Sequence, residues 1–180
     1  MIYTRLQNAL RKLWFEHVSL TRRYIQAVAA NNPSANSIAS RLLKNQDYIG
    51  DAIKPYYGDS SARLLSQLLR EHINIASNLV EAARVGNSGA IVAKYADWLA
   101  NADKIASVLA NINAYWNVGT WRNMLREHLR LTKLELSAEL KNDISISANV
   151  FASIRANATQ MADAMYNGIA TQFRATKLIL

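Results

Sequence analysis

The chain has no cysteine, which removes disulfides, thiolate metal sites and cysteine nucleophiles from consideration. Proline occurs only 2 times and glycine 6 times in 180 residues. So few turn-formers, with little alternation of apolar and polar residues, exclude a strand-rich fold. Long apolar runs are missing too: no stretch on the order of 18 uncharged apolar residues occurs, so no transmembrane span is expected. From Met1 to Val28 the pattern is amphipathic and carries Arg5, Arg11, Lys12, Arg22 and Arg23. A signal peptide needs an uninterrupted apolar core, and a cytoplasmic protein is expected instead. A Gly-rich phosphate loop, a nucleophile elbow and a His-Glu-x-x-His motif are all absent, so no catalytic residue is assigned.

Acidic residues are also in short supply, 13 against 21 Lys and Arg, for a net charge of +8. Such a balance attracts anionic polymers and membrane surfaces without selecting among them. The basic clusters are Arg11, Lys12, Arg22 and Arg23, and a stripe of Arg122, Arg126, Arg130 and Lys133. Neither has the interleaved aromatics of a nucleic-acid surface, and solvated helix faces are the expected reading.

What is present is a repeat. Leu13-Trp14-Phe15-Glu16-His17, Leu68-Leu69-Arg70-Glu71-His72 and Met124-Leu125-Arg126-Glu127-His128 hold all 3 histidines, each directly after a glutamate. Leu42, Trp98 and Ile154 recur at a constant offset, as do Asn45, Asn101 and Asn157, then Ile49, Ile105 and Met161. The recurring unit is a helical hairpin of about 56 residues used three times. Six helices are predicted, over about 4–30, 35–54, 61–84, 88–113, 120–141 and 144–173. Apolar residues at three- and four-residue steps mark each one. Pro33, Pro55, Gly58, Gly86 and Asn142 punctuate them, with Asp59, Ser60, Ser88 and Thr120 as N-cap candidates. The fold expected is a single all-α domain over 1–180, an antiparallel up-down six-helix bundle.

The repeat aligns polar residues. His17, His72 and His128 fall on the apolar stripes of the odd helices, and Asn45, Asn101 and Asn157 on those of the even ones. Each stands roughly 13–15 residues from its turn, about 20 Å at 1.5 Å per residue, so they lie at nearly the same height, the first hairpin off by up to roughly one helical turn. Two readings of this layer stand. In one, each His bonds to the Asn of its hairpin and fixes register. In the other, the three imidazoles converge on a divalent metal (Fe, Mn or Zn), with Glu16, Glu71, Glu127 or Asp163 completing the shell. Spacing also offers the glutamates surface ion pairs, Glu16 with Lys12 and Glu127 with Arg130. The aromatic residues Trp14, Trp98, Trp116, Trp121, Tyr56, Tyr57, Tyr95 and Tyr115 are expected to close the bundle at its ends.

Several of these blocks carry a resemblance. Leu13-Trp14-x-x-His17-x-x-x-Thr21-Arg22, Arg41-Leu42-Leu43-x-Asn45, Ala100-Asn101-Ala102-Asp103-x-Ile105-Ala106, Met124-Leu125-x-Glu127-His128-Leu129-x-x-Thr132-Lys133 and Met161-Ala162-Asp163 resemble a family of small all-helical proteins from spore-forming bacteria. The resemblance spans nearly the whole chain. That family often bears the label acetylglutamate kinase, which implies a phosphate-binding α/β enzyme that nothing in this sequence supports. The family's first copy has its acidic residue two before the histidine, where this chain has Phe15. A looser similarity, to tandem Glu-His helical proteins of ferritin-like character, implies metal binding. The functions to be weighed are a structural module for a protein partner or homo-oligomer, a metal-binding protein, and a binder of anionic polymers or membrane surfaces.

Overall fold

The computed structural model describes the backbone of residues 2–177 and the side chains of residues 5–174. It contains five helices: α1 (Ile2–Ala29), α2 (Ala35–Arg84), α3 (Ser88–Ile112), α4 (Val118–Leu140) and α5 (Ile144–Lys177). No strand occurs among the described residues. Six helices were expected, and the difference lies in α2, where Pro55 is accommodated inside one continuous helical element. That element is interrupted at Gly58, whose φ of 77° and ψ of 175° are open only to glycine. The two arms of α2 fold back on each other there. Arg70 on the second arm reaches the Leu43 carbonyl and the Asp47 carboxylate on the first, at 3.3 and 2.9 Å. A Cβ on Gly50 would collide with Ser66 and with the Ala62 carbonyl, so the arms touch backbone to backbone.

The remaining boundaries follow from local chemistry. Asn31 and Asn142 adopt positive φ after α1 and α4, which Asn tolerates better than most residues. Asn87 and Asn117, rather than Ser88 and Thr120, are the N-caps of α3 and α4, accepting from the amides of Ala90 and Thr120 at 3.0 and 2.9 Å. An Asn side chain in extended or bridging backbone satisfies an otherwise orphaned N–H of the first turn.

Sequential helices pack as antiparallel neighbours, and α5 returns to lie against α1. Asp163 on α5 accepts both Nε and Nη2 of Arg11 at 2.7 Å and Gln7 Nε2 at 3.1 Å. Further along, the Arg155 guanidinium lies 4.9 Å from the centre of the Phe15 ring. α1 also meets α4 through the Arg22–Glu135 pair at 2.6 Å. The circle of helices is therefore closed around a main apolar core, from Leu10, Trp14 and Val18 through Leu65, Ile105 and Leu129 to Met161 and Ile169. Two smaller clusters stand apart from it, one around Leu20, Leu42 and Ile73 and one of Ile25, Val80 and Leu136.

One end of the bundle is aromatic, as expected for Tyr56, Tyr57, Trp116 and Trp121. Tyr57 lies edge-on to Phe173 and tilted on Trp116, and its hydroxyl accepts from Asn113 at 2.8 Å. Trp14 and Trp98 depart from that expectation. They pack at mid-height on His17 and His72, with ring centres 5.9 and 5.1 Å apart.

Candidate functional site

At mid-height the three histidine rings line one cavity of about 20 Å³, together with Thr21, Ser77, Thr132, Lys133 and apolar side chains. The rings are 4%, 4% and 2% exposed for His17, His72 and His128, so water reaches them only through that space. His17 and His128 are closest, with centres 5.5 Å apart. Thr21 and Thr132 each stand four residues after a histidine and donate back to its carbonyl at 2.9 and 2.8 Å. That spends both hydroxyl protons on the helix itself.

The asparagines make one bond three times over. Asn45 Nδ2 donates to the Leu13 carbonyl, Asn101 Nδ2 to that of Leu68 and Asn157 Nδ2 to that of Met124, each at 3.2 Å. Each acceptor lies four residues before a histidine, one helical turn away on the partner helix. A helix carbonyl has a second lone pair, so it takes this bond without giving up its own ladder.

The histidine contacts are less uniform. His72 Nδ1 lies 2.8 Å from Asn101 Oδ1, the expected pair. In the third hairpin the same two atoms, His128 Nδ1 and Asn157 Oδ1, are buried without a formed hydrogen bond. In the first, the expected His17–Asn45 pair is replaced: His17 Nδ1 lies 3.1 Å from Gln46 Nε2. Gln46 was missed because its counterparts one repeat on, Ala102 and Ala158, are apolar. A signal was nevertheless present. The partner lies 29 residues after the histidine in both bonded pairs, 17 to 46 and 72 to 101, whereas Asn45 sits at a spacing one shorter. One residue is about 100° of helix, enough to turn the amide away from the ring.

The acidic candidates are dispersed. Glu16 accepts weakly from Asn45 at 3.4 Å, and the pair with Lys12 that spacing offered does not form. Glu71 is exposed, and Glu127 is held by Arg130 at 2.7 and 2.8 Å, the surface pair that spacing predicted. Asp163 serves the α1–α5 closure, with Arg11 and Gln7. Among the described residues no group of three or more His, Asp or Glu side chains is arranged to hold a metal ion.

The rings are held neutral. Burial pushes His72 to about 4 and His128 to about 3, and lowers His17 well below its ordinary value, with repulsion among the rings adding to the effect on His17 and His128. Asn101 and Asn157 each offset part of that burial. Below the layer sits a second buried ionisable group that sequence reading did not single out. Glu135 is 1% exposed, and burial raises it to about 7, outweighing the adjacent Arg22. Arg22 also lies 3.4 Å from Glu139, which accepts from Gln26 at 3.0 Å and from the Ser147 hydroxyl.

Two carboxylates offset half the charge of the four-residue basic stripe on α4. Arg122 and Arg126 face Asp103, Arg130 faces Glu127, and the Lys133 ammonium lies 4.3 Å from the centre of the Tyr95 ring. No helix among the described residues is long and apolar enough to cross a membrane. The chain matches no family model, no curated protein and no solved structure.

Proposed function

We propose that this chain is a structural helical module, a rigid body for a protein partner or a second copy, built from three hairpins of about 56 residues. In this reading the fold-back at Gly58 divides α2 between the first hairpin and the second, giving six helical arms. The observation that carries it is the asparagine-to-carbonyl bond, repeated at 3.2 Å in each hairpin one turn before each histidine. A second repeated device supports it. Asp47–Arg70 and Asp103–Arg126 join consecutive hairpins, each 23 residues apart in sequence. Bonds that recur with the repeat set the sliding register of one helix on the next, which apolar side chains alone leave loosely specified. The kinase label borne by the resembling family plays no part, since a phosphate-binding α/β framework needs a sheet.

A metal-binding role is the alternative, and the observation on its side is the single cavity shared by the three rings. Against it stands Gln46. A ligating imidazole gives its second N–H to an acceptor, and His17 meets an amide nitrogen instead.

The test of the structural reading is a double-mutant cycle. His72→Leu or Asn101→Leu alone strands a buried polar partner and is expected to cost about 1–3 kcal/mol. The pair replaced together is expected to cost less than the two singles summed. Urea unfolding measures all four corners, and additive losses would refute a register role for this pair.

A further inference from the structure

The direction of each amide decides where each imidazole keeps its proton. Asn101 gives its Nδ2 hydrogen to the Leu68 carbonyl, so it presents its oxygen to His72 Nδ1 at 2.8 Å. An oxygen without hydrogens can only accept; His72 therefore carries its proton on Nδ1, and its Nε2 is a bare lone pair. Asn157 is held in the same sense by the Met124 carbonyl. Its Oδ1 and His128 Nδ1 are both buried without a formed hydrogen bond, and a proton on His128 Nδ1 is what lets the two satisfy each other. His128 is thus a second Nδ1–H ring with a free lone pair on Nε2. Gln46 is turned the other way. Its Nε2 lies 2.8 Å from the Leu42 carbonyl and 3.2 Å from Asn45 Oδ1, both acceptors, which identifies it as the donor end, and that nitrogen faces His17 Nδ1 at 3.1 Å. An amide nitrogen does not accept, so His17 Nδ1 is unprotonated and the proton of this neutral ring sits on Nε2.

The three Nε2 atoms, none bonded to protein among the described residues, belong to rings lining the same cavity. We propose that this cavity is a binding site for one water molecule, which donates to Nε2 of His72 and Nε2 of His128 and accepts the Nε2–H of His17. Its volume of about 20 Å³ exceeds the 10–15 Å³ or so that the centre of one water requires, and three partners are the usual complement of a buried water. The pattern of two acceptors and one donor is selective. Ammonium or a metal ion would meet the His17 N–H where it needs a lone pair, and a halide would meet two lone pairs where it needs donors. The inference rests on the polar layer of the structural reading, but on the direction of its bonds and not on their contribution to stability.

The experiment uses the full chain labelled with ¹⁵N histidine, read at neutral pH by long-range ¹H–¹⁵N correlation, which separates the two neutral tautomers by the shifts of their protonated and bare nitrogens. Expected are His17 as the Nε2–H form, His72 and His128 as the Nδ1–H form, and a cross-peak from the His17 Nε2 proton to a long-lived water. His17 in the Nδ1–H form, or all three rings alike, would overturn the proposal. So would xenon pressure shifting the Leu79 and Leu136 methyl signals, the mark of a dry cavity, or stoichiometric zinc moving the Nε2 signals of all three rings. The expected tautomers beside an additive His72/Asn101 cycle would sustain the water site and remove the register reading; the wrong tautomers beside a coupled cycle would do the reverse.

Discussion

His17, His72 and His128 are ionisable groups that the fold keeps from ionising, and the consequence is a dependence on acid. Each is free to take a proton near pH 6.5 once unfolded, while the folded values lie at about 4 for His72, about 3 for His128 and well below 6.5 for His17. A base depressed in this way contributes stability that is present above 6.5 and is lost as pH falls toward the folded values. Glu135 acts in the opposite sense. Raised from 4.5 to about 7, it contributes stability that is full below 4.5 and lost as pH rises through about 7. Between about pH 6.5 and 4.5 the unfolded chain thus binds three extra protons on histidine and one fewer on glutamate. The net of about two protons corresponds to a loss on the order of 2–3 kcal/mol per pH unit. Urea unfolding at pH 7, 6 and 5 measures it; a flat profile would mean that the three rings are not buried neutral.

At the scale of the helix, residue types and their periods made the elements legible, and neighbours decided the rest. The stops at Asn31, Gly86 and Asn142 lie where turn chemistry placed them, because positive φ is a local demand. Caps shifted to Asn87 and Asn117 because the cap is chosen by backbone geometry just outside the helix, which composition alone does not fix. Trp14 and Trp98 lie at mid-height and not at an end, since an indole face packs on an imidazole as well as on another aromatic ring. Gly168 lies in α5 with no turn to explain a glycine there. Its role needs the partner: a Cβ there would lie 2.0 Å from Trp116 Nε1 and 2.2 Å from Cδ1. That indole is fixed by its bonds to the Ala164 and Met165 carbonyls at 3.2 and 3.3 Å. Gly168→Ala is accordingly expected to cost at least about 2 kcal/mol through overpacking and a disturbed hydrogen bond. Gly89, helical and with room for a Cβ at an ordinary 3.8 Å from Asn87 Oδ1, should behave oppositely, Gly89→Ala gaining about 0.5–1 kcal/mol. Melting temperatures of the two variants compare them directly, and equal shifts in one direction would contradict this account of Gly168.

At the scale of the whole molecule, the joint between α5 and α1 differs in kind from the others. Within a hairpin and between consecutive hairpins the bonded partners stand close along the chain, 29 residues for His72 and Asn101, 23 for Arg126 and Asp103. The pairs that tie α1 to the last two helices are distant, Arg22 and Glu135 by 113. Arg11 and Asp163 are separated by 152. The entropy lost in closing a loop grows with the logarithm of its length, so local hairpins form at smaller cost than the closure that joins the first helix to the last. During folding this joint is therefore expected to set last, and during unfolding to part first. Asp163→Asn is expected to quicken unfolding while leaving the folding rate nearly unchanged, a φ value close to zero. A cut in the folding rate as large as the rise in unfolding, read from the two arms of a chevron plot, would count against it. The seam between the outermost helices then governs how long the folded form lasts more than how quickly it is reached.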